Sequence, residues 1–328
     1  MIRSLRTFVT EGFDPYDNLA REAYLTSHAR AGEVVLYLWQ NDRTVVVGRN
    51  QNCFKECRVA LLEAEGGHLA RRPSGGGAVY HDRGNLNFSF VARREDYDVG
   101  HQLSVILHAC RALGIPAEAT GRNDLTVSGK KFSGNAFLEK RAGCCHHGTI
   151  LIHADTAAAE RYLSASREKL ASKGVASVRA RIANLADFRP GLTVPEMRAA
   201  LFTAFESVYG LSASLLAPED FDPGALASLR ESFASDAWRY GEKLDFTYEI
   251  SRRFLWGGLT LLLRAEDGAV ARCRAESDAM DADFIAALAP ALEGVACRAE
   301  PLAQRVLQLG AGEAAWREDV ASMLREAL

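Results

Sequence analysis

Apolar residues along this chain follow two different periods, and the switches between them mark out its elements. From Asn85 to Phe90 the alternation is strict: Leu86, Phe88 and Phe90 fall on one side and Asn85, Asn87 and Ser89 on the other, the period-two pattern of a half-buried strand. Two apolar, β-branched runs, 34–39 and 44–48, are separated by Asn41-Asp42-Arg43 and predict a hairpin, so a mostly antiparallel sheet is expected. Helical spacing takes over elsewhere. Asp14-Pro15 opens a helix with Leu19, Ala20, Ala23, Tyr24 and Ser27 on one face, and a short helix is predicted over 59–65. A third helix carries Leu103, Ile106, Leu107, Cys110 and Leu113 and stops at Gly114. Thr193-x-x-Glu196 with Pro195 is a capping-box start, after which Met197, Leu201, Phe205 and Val208 ride one face until Gly210.

Between 211 and 240 the pattern weakens into Ala-Pro-Glu-Asp-Phe-Asp-Pro-Gly and a short helix, the approach to a linker. Beyond it, strands are predicted over 243–250, 254–264 and 269–276, the last two joined across Glu266-Asp267-Gly268, with helices over 282–292, 301–309 and 312–328. The fold class is therefore α+β. A large domain, 1–240, holds a mixed, mostly antiparallel sheet flanked by helices, and a small α+β domain fills 241–328.

Composition narrows the function classes. The 328 residues are enough for such a pair of cores, and 48% hydrophobic with 25% charged residues is ordinary for a globular protein. A formal net charge of -3 gives no field that favours nucleic acid, so any phosphate is bound locally. No apolar run approaches the roughly 20 residues of a membrane span, residues 1–10 lack a signal-peptide core, and seven cysteines without a framework spacing agree with a reducing compartment. A cytoplasmic location is expected.

The chemistry gathers in one stretch: Arg71-Arg72-Pro73-Ser74-Gly75-Gly76-Gly77-Ala78-Val79-Tyr80-His81-Asp82-Arg83-Gly84-Asn85. Three consecutive glycines let a ligand reach the main chain, and planar guanidinium groups suit phosphate and carboxylate oxygens, which together make an anion cradle. No Gly-Lys-Ser/Thr follows as a P-loop needs, and the spacing is not G-x-G-x-x-G. A second polar cluster, Gly121-Arg122-Asn123-Asp124-Leu125, precedes Val127-Ser128-Gly129-Lys130-Lys131-Phe132-Ser133-Gly134, where a hairpin would hold a lysine at a fixed place. In Cys144-Cys145-His146-His147 neighbours on a strand alternate faces, which argues against a tetrahedral zinc site. Residues 161–185 are basic, with Lys169, Lys173, Arg179 and Arg181, a solvated surface or a loop that closes over a nucleotide.

The cradle resembles the signature Arg-Arg-x-Ser-Gly-Gly-Gly-x-Val-Tyr/Phe-His-Asp-x-Gly-Asn of the lipoate-protein ligase A family. Asp14-Pro15-Tyr16-Asp17-Asn18-Leu19-Ala20 is similar to the family's opening, Asn123-Asp124 with Lys131-Phe132-Ser133-Gly134 to its Asn-Asp and Lys-x-Ser-Gly elements, and Ser177-Val178-Arg179-x-Arg181 to its nucleotide loop. The resemblance implies the biotin/lipoate ligase catalytic fold with a C-terminal accessory domain, and a monomer. Its activity would be two-step: lipoate and ATP with Mg²⁺ give lipoyl-AMP, whose acyl group passes to a lysine of lipoyl domains of 2-oxoacid dehydrogenase E2 subunits or of the glycine cleavage H protein. By the same resemblance Lys131 is the catalytic cation. Arg72, Ser74, Gly75, Gly76, Gly77, Ala78, Val79, Tyr80, Asn85, His147 and Arg181 bind substrate or nucleotide, Asp124 partners magnesium, and Leu19, Val79 and the 39–47 hairpin line an apolar tunnel. Ala23, where a second glutamate is common, and the Cys144-Cys145 pair depart from the pattern. The alternatives are a lipoyl or octanoyl transferase on the same scaffold, acting through a cysteine such as Cys144 or Cys145, an amidotransferase, and a non-catalytic adenylate-binding regulator. A biotin ligase is disfavoured because no Gly-Arg-Gly-x-x-Gly-Arg run occurs.

Overall fold

The computed structural model describes residues 1–120, 124–164, 182–241 and 245–328. They form two compact units: Met1–Val46, Cys57–Ala70 and Val79–Arg239 in the first, and Val47–Glu56, Arg71–Ala78 and Tyr240–Leu328 in the second. The second unit therefore takes in two earlier pieces of chain that a single cut near residue 240 leaves out.

The strands, in chain order, are β1 Ser4–Val9, β2 Glu33–Trp39, β3 Thr44–Val47, β4 His68–Arg71, β5 Val79–His81, β6 Asn85–Ala92, β7 Ala117–Thr120, β8 Asp124–Val127, β9 Lys130–Glu139, β10 Cys144–Leu151, β11 Ala213–Leu215, β12 Tyr248–Phe254, β13 Gly257–Glu266 and β14 Ala269–Ser277. Eight of them make the main sheet of the first unit, in the order β11-β1-β2-β6-β10-β9-β8-β7. β1 runs parallel to β2 and to β11, and the remaining pairs are antiparallel. The mixed, mostly antiparallel sheet is thus as the hydrophobic pattern predicts.

Both faces of that sheet are covered. On one, helices Val99–Ala112 and Val194–Tyr209 bury Val105, Ile106, Leu201 and Phe205 against Leu86, Phe88 and Phe90. On the other, helix Pro15–Ser27 packs Tyr16, Leu19, Ala20 and Leu25 against Tyr37, Trp39 and Val91. The Asp14 carboxylate caps this helix, accepting from the Tyr16 and Asp17 N–H groups at 2.8 and 3.1 Å, and Thr193 with Glu196 forms the capping box at Val194–Tyr209. Because of this second layer, Asn85, Asn87 and Ser89 are buried as fully as their apolar neighbours, so β6 is not half-buried.

A second expectation fails. The runs 34–39 and 44–48 are not a hairpin: β2 joins the main sheet, whereas β3 pairs with β5 and sits in a separate three-stranded sheet, order β4-β3-β5. The connection is pinned by Asn41, which is fully buried and bonded to Asn18 and His81. The stretch 211–240, the expected approach to a linker, carries ordered elements of the first unit as far as Arg239. β11 extends the main sheet beside β1, and helix Pro223–Ala234 packs Phe233 into the cluster around Leu19.

In the second unit, β12, β13 and β14 form an antiparallel sheet, the last pair turning at Asp267 and Gly268 with φ of 50° and 79°. Helices Ala282–Leu292, Ala299–Leu307 and Ala314–Ala327 close it around Trp256, Phe284 and Trp316. Residues 47–56 and 71–78 attach to it through defined bonds. Arg49 meets Asp283 at 2.7 Å, Asn52 donates to Glu276 at 3.0 Å, and the Gly76 N–H donates to the Ala279 carbonyl at 3.0 Å.

Candidate active site

In the first unit the chemistry sits on one face of the main sheet. β8 and β9 form a hairpin turning at Ser128 and Gly129, whose φ values of 49° and 75° suit a tight two-residue turn. Lys130 points to solvent, but Lys131 lies back along β9. Its Nζ meets Asp124 Oδ1 at 2.6 Å, each side chain being about one-fifth exposed (22% and 20%). Gly134 makes this possible, because a Cβ there would stand 2.7 Å from the ammonium. The Gly134 N–H donates to Thr149 Oγ1 at 3.2 Å, which sets Thr149 on β10 beside the lysine.

Two residues earlier on the same side of β10, His147 Nδ1 lies 2.8 Å from Glu22 of helix Pro15–Ser27. The other Glu22 oxygen accepts from Ser89 Oγ at 2.5 Å, and Ser89 in turn accepts from the Trp39 indole N–H at 3.0 Å. Burial works against the Glu22 carboxylate, but the His147 ring and hydrogen bonds from His147, Ser89 and Cys145 hold it ionised, with its pKa below the usual value. Cys145 completes the group: the Glu22, Cys145 and His147 donor atoms lie within 4.8 Å of one another. Burial pushes the Cys145 thiol well above its ordinary pKa, and Cys144 is raised for the same first reason. Neither is poised as a thiolate. As the alternation predicts, Cys144 and His146 face the opposite way, with His146 between Gln102 and Asn135.

The remaining positions of the first unit are Val79, Tyr80 and Asn85. Val79 and Tyr80 pair with Val46 and Val45, burial raises the Tyr80 phenol, and Asn85 is fully buried and bonded to Asn87 at 2.9 Å. Leu19 and Trp39 belong to the cluster of helix Pro15–Ser27, with Val79 packed against it.

Arg72, Ser74, Gly75, Gly76, Gly77 and Ala78 belong to the second unit. Here the arginines build the loop. Arg71 donates to the carbonyls of Gly48, Arg49 and Gln51 at 3.0, 3.0 and 2.7 Å; Arg72 donates to Ser74 Oγ at 3.2 Å and to the Gly75 and Gly77 carbonyls at 2.7 and 2.8 Å. Gly75 is needed for space, since a Cβ would strike the Ala279 and Met280 carbonyls, and Gly76 for its φ of 89°. Arg181 lies outside the described residues, as do Lys169, Lys173, Arg179 and the stretch Gly121-Arg122-Asn123.

Residues 14–206 match the family model of the lipoyl protein ligase A/B catalytic domain, and residues 243–321 that of the bacterial lipoate protein ligase C-terminus. The chain belongs to the lipoyl protein ligase A/B family. Solved structures agree with that membership. P. falciparum LipL1, in complex with lipoate, is 25% identical over 98% of this chain and 100% of its own, with a TM-score of 0.88. A bi-partite lipoate protein ligase from Thermoplasma acidophilum, described with its E2 lipoyl domain, is 26% identical over 75% of this chain and 100% of its own, at 0.64. Lipoate-protein ligase A bound with ATP is 25% identical over 74% and 99%, at 0.63.

Of the residues that matter on this face, sequence reasoning missed Glu22 and gave Asn87 no role. Glu22 follows the recognised opening motif by two positions, but its partner His147 is 125 residues away. Among the described residues no helix is long and apolar enough to cross a membrane.

Proposed function

We propose that this family member is an ATP-dependent lipoate-protein ligase, which activates lipoate as lipoyl-AMP and passes the lipoyl group to a lysine of a lipoyl domain, in an E2 subunit or in the glycine cleavage H protein. The observation that carries the reading is the fixed Lys131 ammonium over Gly134, paired with Asp124 inside the family's matched segment. In the first step a lipoate carboxylate oxygen attacks the α-phosphorus, forming one O–P bond as the bond to pyrophosphate breaks. In the second, the acceptor lysine nitrogen attacks the acyl carbon and AMP leaves. Adenylation joins two anions, so its principal need is a positioned cation, and Lys131 supplies it without reorganisation.

Asp124 offers hard carboxylate oxygens at the same place, which fits Mg²⁺; the soft, buried set of Glu22, Cys145 and His147 does not. Bound there, magnesium would neutralise phosphate charge. Asp124 would then hold the ion and the lysine together, and His147 would stand beside the acyl chain. The buried, raised thiols of Cys144 and Cys145 speak against transfer through a cysteine thioester.

The test is pyrophosphate release from purified protein with ATP, Mg²⁺ and lipoate, with and without an unmodified lipoyl domain. Lipoate-dependent release with transfer to the domain is expected. Transfer from a lipoylated or octanoylated carrier without ATP would replace this reading with a transferase.

A further inference from the structure

Two buried amides on the polar face are bonded to each other and not to saturation. Asn85 Nδ2 donates to Asn87 Oδ1 at 2.9 Å, while Asn87 Nδ2 and Asn85 Oδ1 find no protein partner among the described residues. The residues are 0% and 1% exposed. With oxygen and nitrogen placed as they are, the open donor is Asn87 Nδ2 and the open acceptor Asn85 Oδ1; exchanging them in both side chains reverses the bond and carries the donor to Asn85. Buried polar groups are seldom left open in this way without a ligand or other reason.

The sheet register says where that donor lies. Asn87 on β6 stands directly opposite Thr149 on β10, and residues opposite one another in an antiparallel pair share a face. The Thr149 hydroxyl lies 3.9 Å from the point where a Gly134 Cβ would stand, the point the Lys131 ammonium approaches to 2.7 Å. Lysine, threonine and Asn87 thus rise from one face at one level, with Asn87 two strands from Gly134, or about 10 Å at ordinary strand spacing. Lys131 is charged and suits a phosphate; Asn87 is neutral and suits a carbonyl.

We propose that Asn87 is a catalytic donor for the acyl-transfer step: its amide holds the acyl carbonyl oxygen while Lys131 holds the phosphate of the adenylate. The inference rests on the acyl-adenylate reading above. When the acceptor nitrogen bonds to the acyl carbon, the carbonyl electron pair moves onto that oxygen. It returns as the bond to the AMP oxygen breaks, AMP leaving with its electron pair and the amine losing a proton to solvent. A donor fixed in a site shielded from water stabilises the transient oxyanion. Adenylation starts from a carboxylate, whose charge decreases, and gains far less from the same donor.

The experiment separates the two steps in wild type and in Asn87→Leu, which keeps the branched shape and removes the donor. Single-turnover transfer from preformed lipoyl-AMP to a lipoyl domain should fall about 100-fold, a far larger loss than in lipoyl-AMP affinity or in lipoate-dependent ATP–pyrophosphate exchange. Equal losses in both steps, or none in transfer, would overturn the assignment. Wild type that makes no lipoyl-AMP would overturn the ligase reading as well, whereas normal wild type with a normal variant sinks only the role of Asn87. If the variant does not fold, the wild-type side-chain amide gives the answer by NMR with lipoyl-sulfamoyl-adenosine, an adenylate analogue that cannot transfer. A downfield shift of the Asn87 amide protons is expected, and no shift counts against contact.

Discussion

The two faces of β10 carry one histidine each, one residue apart, in opposite surroundings. His146 lies among Phe88, Phe90 and Phe137, with ring centroids 5.3, 5.9 and 4.9 Å away, and its nitrogens meet the amides of Gln102 and Asn135. Burial, and then the positive field of His147, push its pKa down to about 3. His147 is equally enclosed but faces a carboxylate that is itself held by Ser89. The difference shows that burial alone does not mark a functional side chain. On its own face His146 is an exception inside an apolar core; on the other face His147 bonds to Glu22 and Glu22 to Ser89, with Asn87, Thr149 and Lys131 rising from the same side of the sheet.

That contrast can be broken from either side. The largest effect is expected on the apolar face, where Phe88 is fully buried: Phe88→Ala should cost about 3–5 kcal/mol of stability, measured by urea unfolding. A loss below about 1 kcal/mol would mean that this core is not what holds the sheet. On the polar face, Lys131→Ala should reduce lipoate-dependent ATP–pyrophosphate exchange about 10²–10³-fold. Its partly exposed ion pair with Asp124 is worth about 1 kcal/mol or less, so the unfolding midpoint should hardly move. Exchange at the wild-type rate would remove the lysine from the chemistry.

The smallest effect, and the sharpest, concerns pH. The unfolded chain takes up a proton on His146 below its ordinary 6.5, while the folded chain resists until about 3. The unfolded state therefore binds more protons in that window, and stability from this group is complete above 6.5 and lost as pH falls towards 3. His146→Gln should accordingly lose less relative to wild type at pH 5 than at pH 8 in thermal unfolding. A gap independent of pH would mean that His146 does not titrate differently on folding.

The short-range parts of this protein are legible in its sequence. Asp14-Pro15, the Thr193–Glu196 box and Gly210 set helix ends through bonds spanning a few residues, and Ser128-Gly129 sets the turn that delivers Lys131. The glycine run likewise declares a backbone with special demands, which Gly75 and Gly76 meet by space and by φ.

Tertiary structure alone decided the rest, because strand partners and second layers depend on contacts between residues far apart in the chain. Local pattern cannot say that β3 leaves β2 for β5, that 213–215 extends the sheet beside β1, or that the polar side of β6 is roofed by a helix. Nor can it bring Glu22 to His147 or set Asn87 level with Thr149. Sequence determined which residues could do the chemistry and how each element begins and ends; register and layering determined which of them share a face, since a shift of one residue would turn every side chain of a strand to the other side.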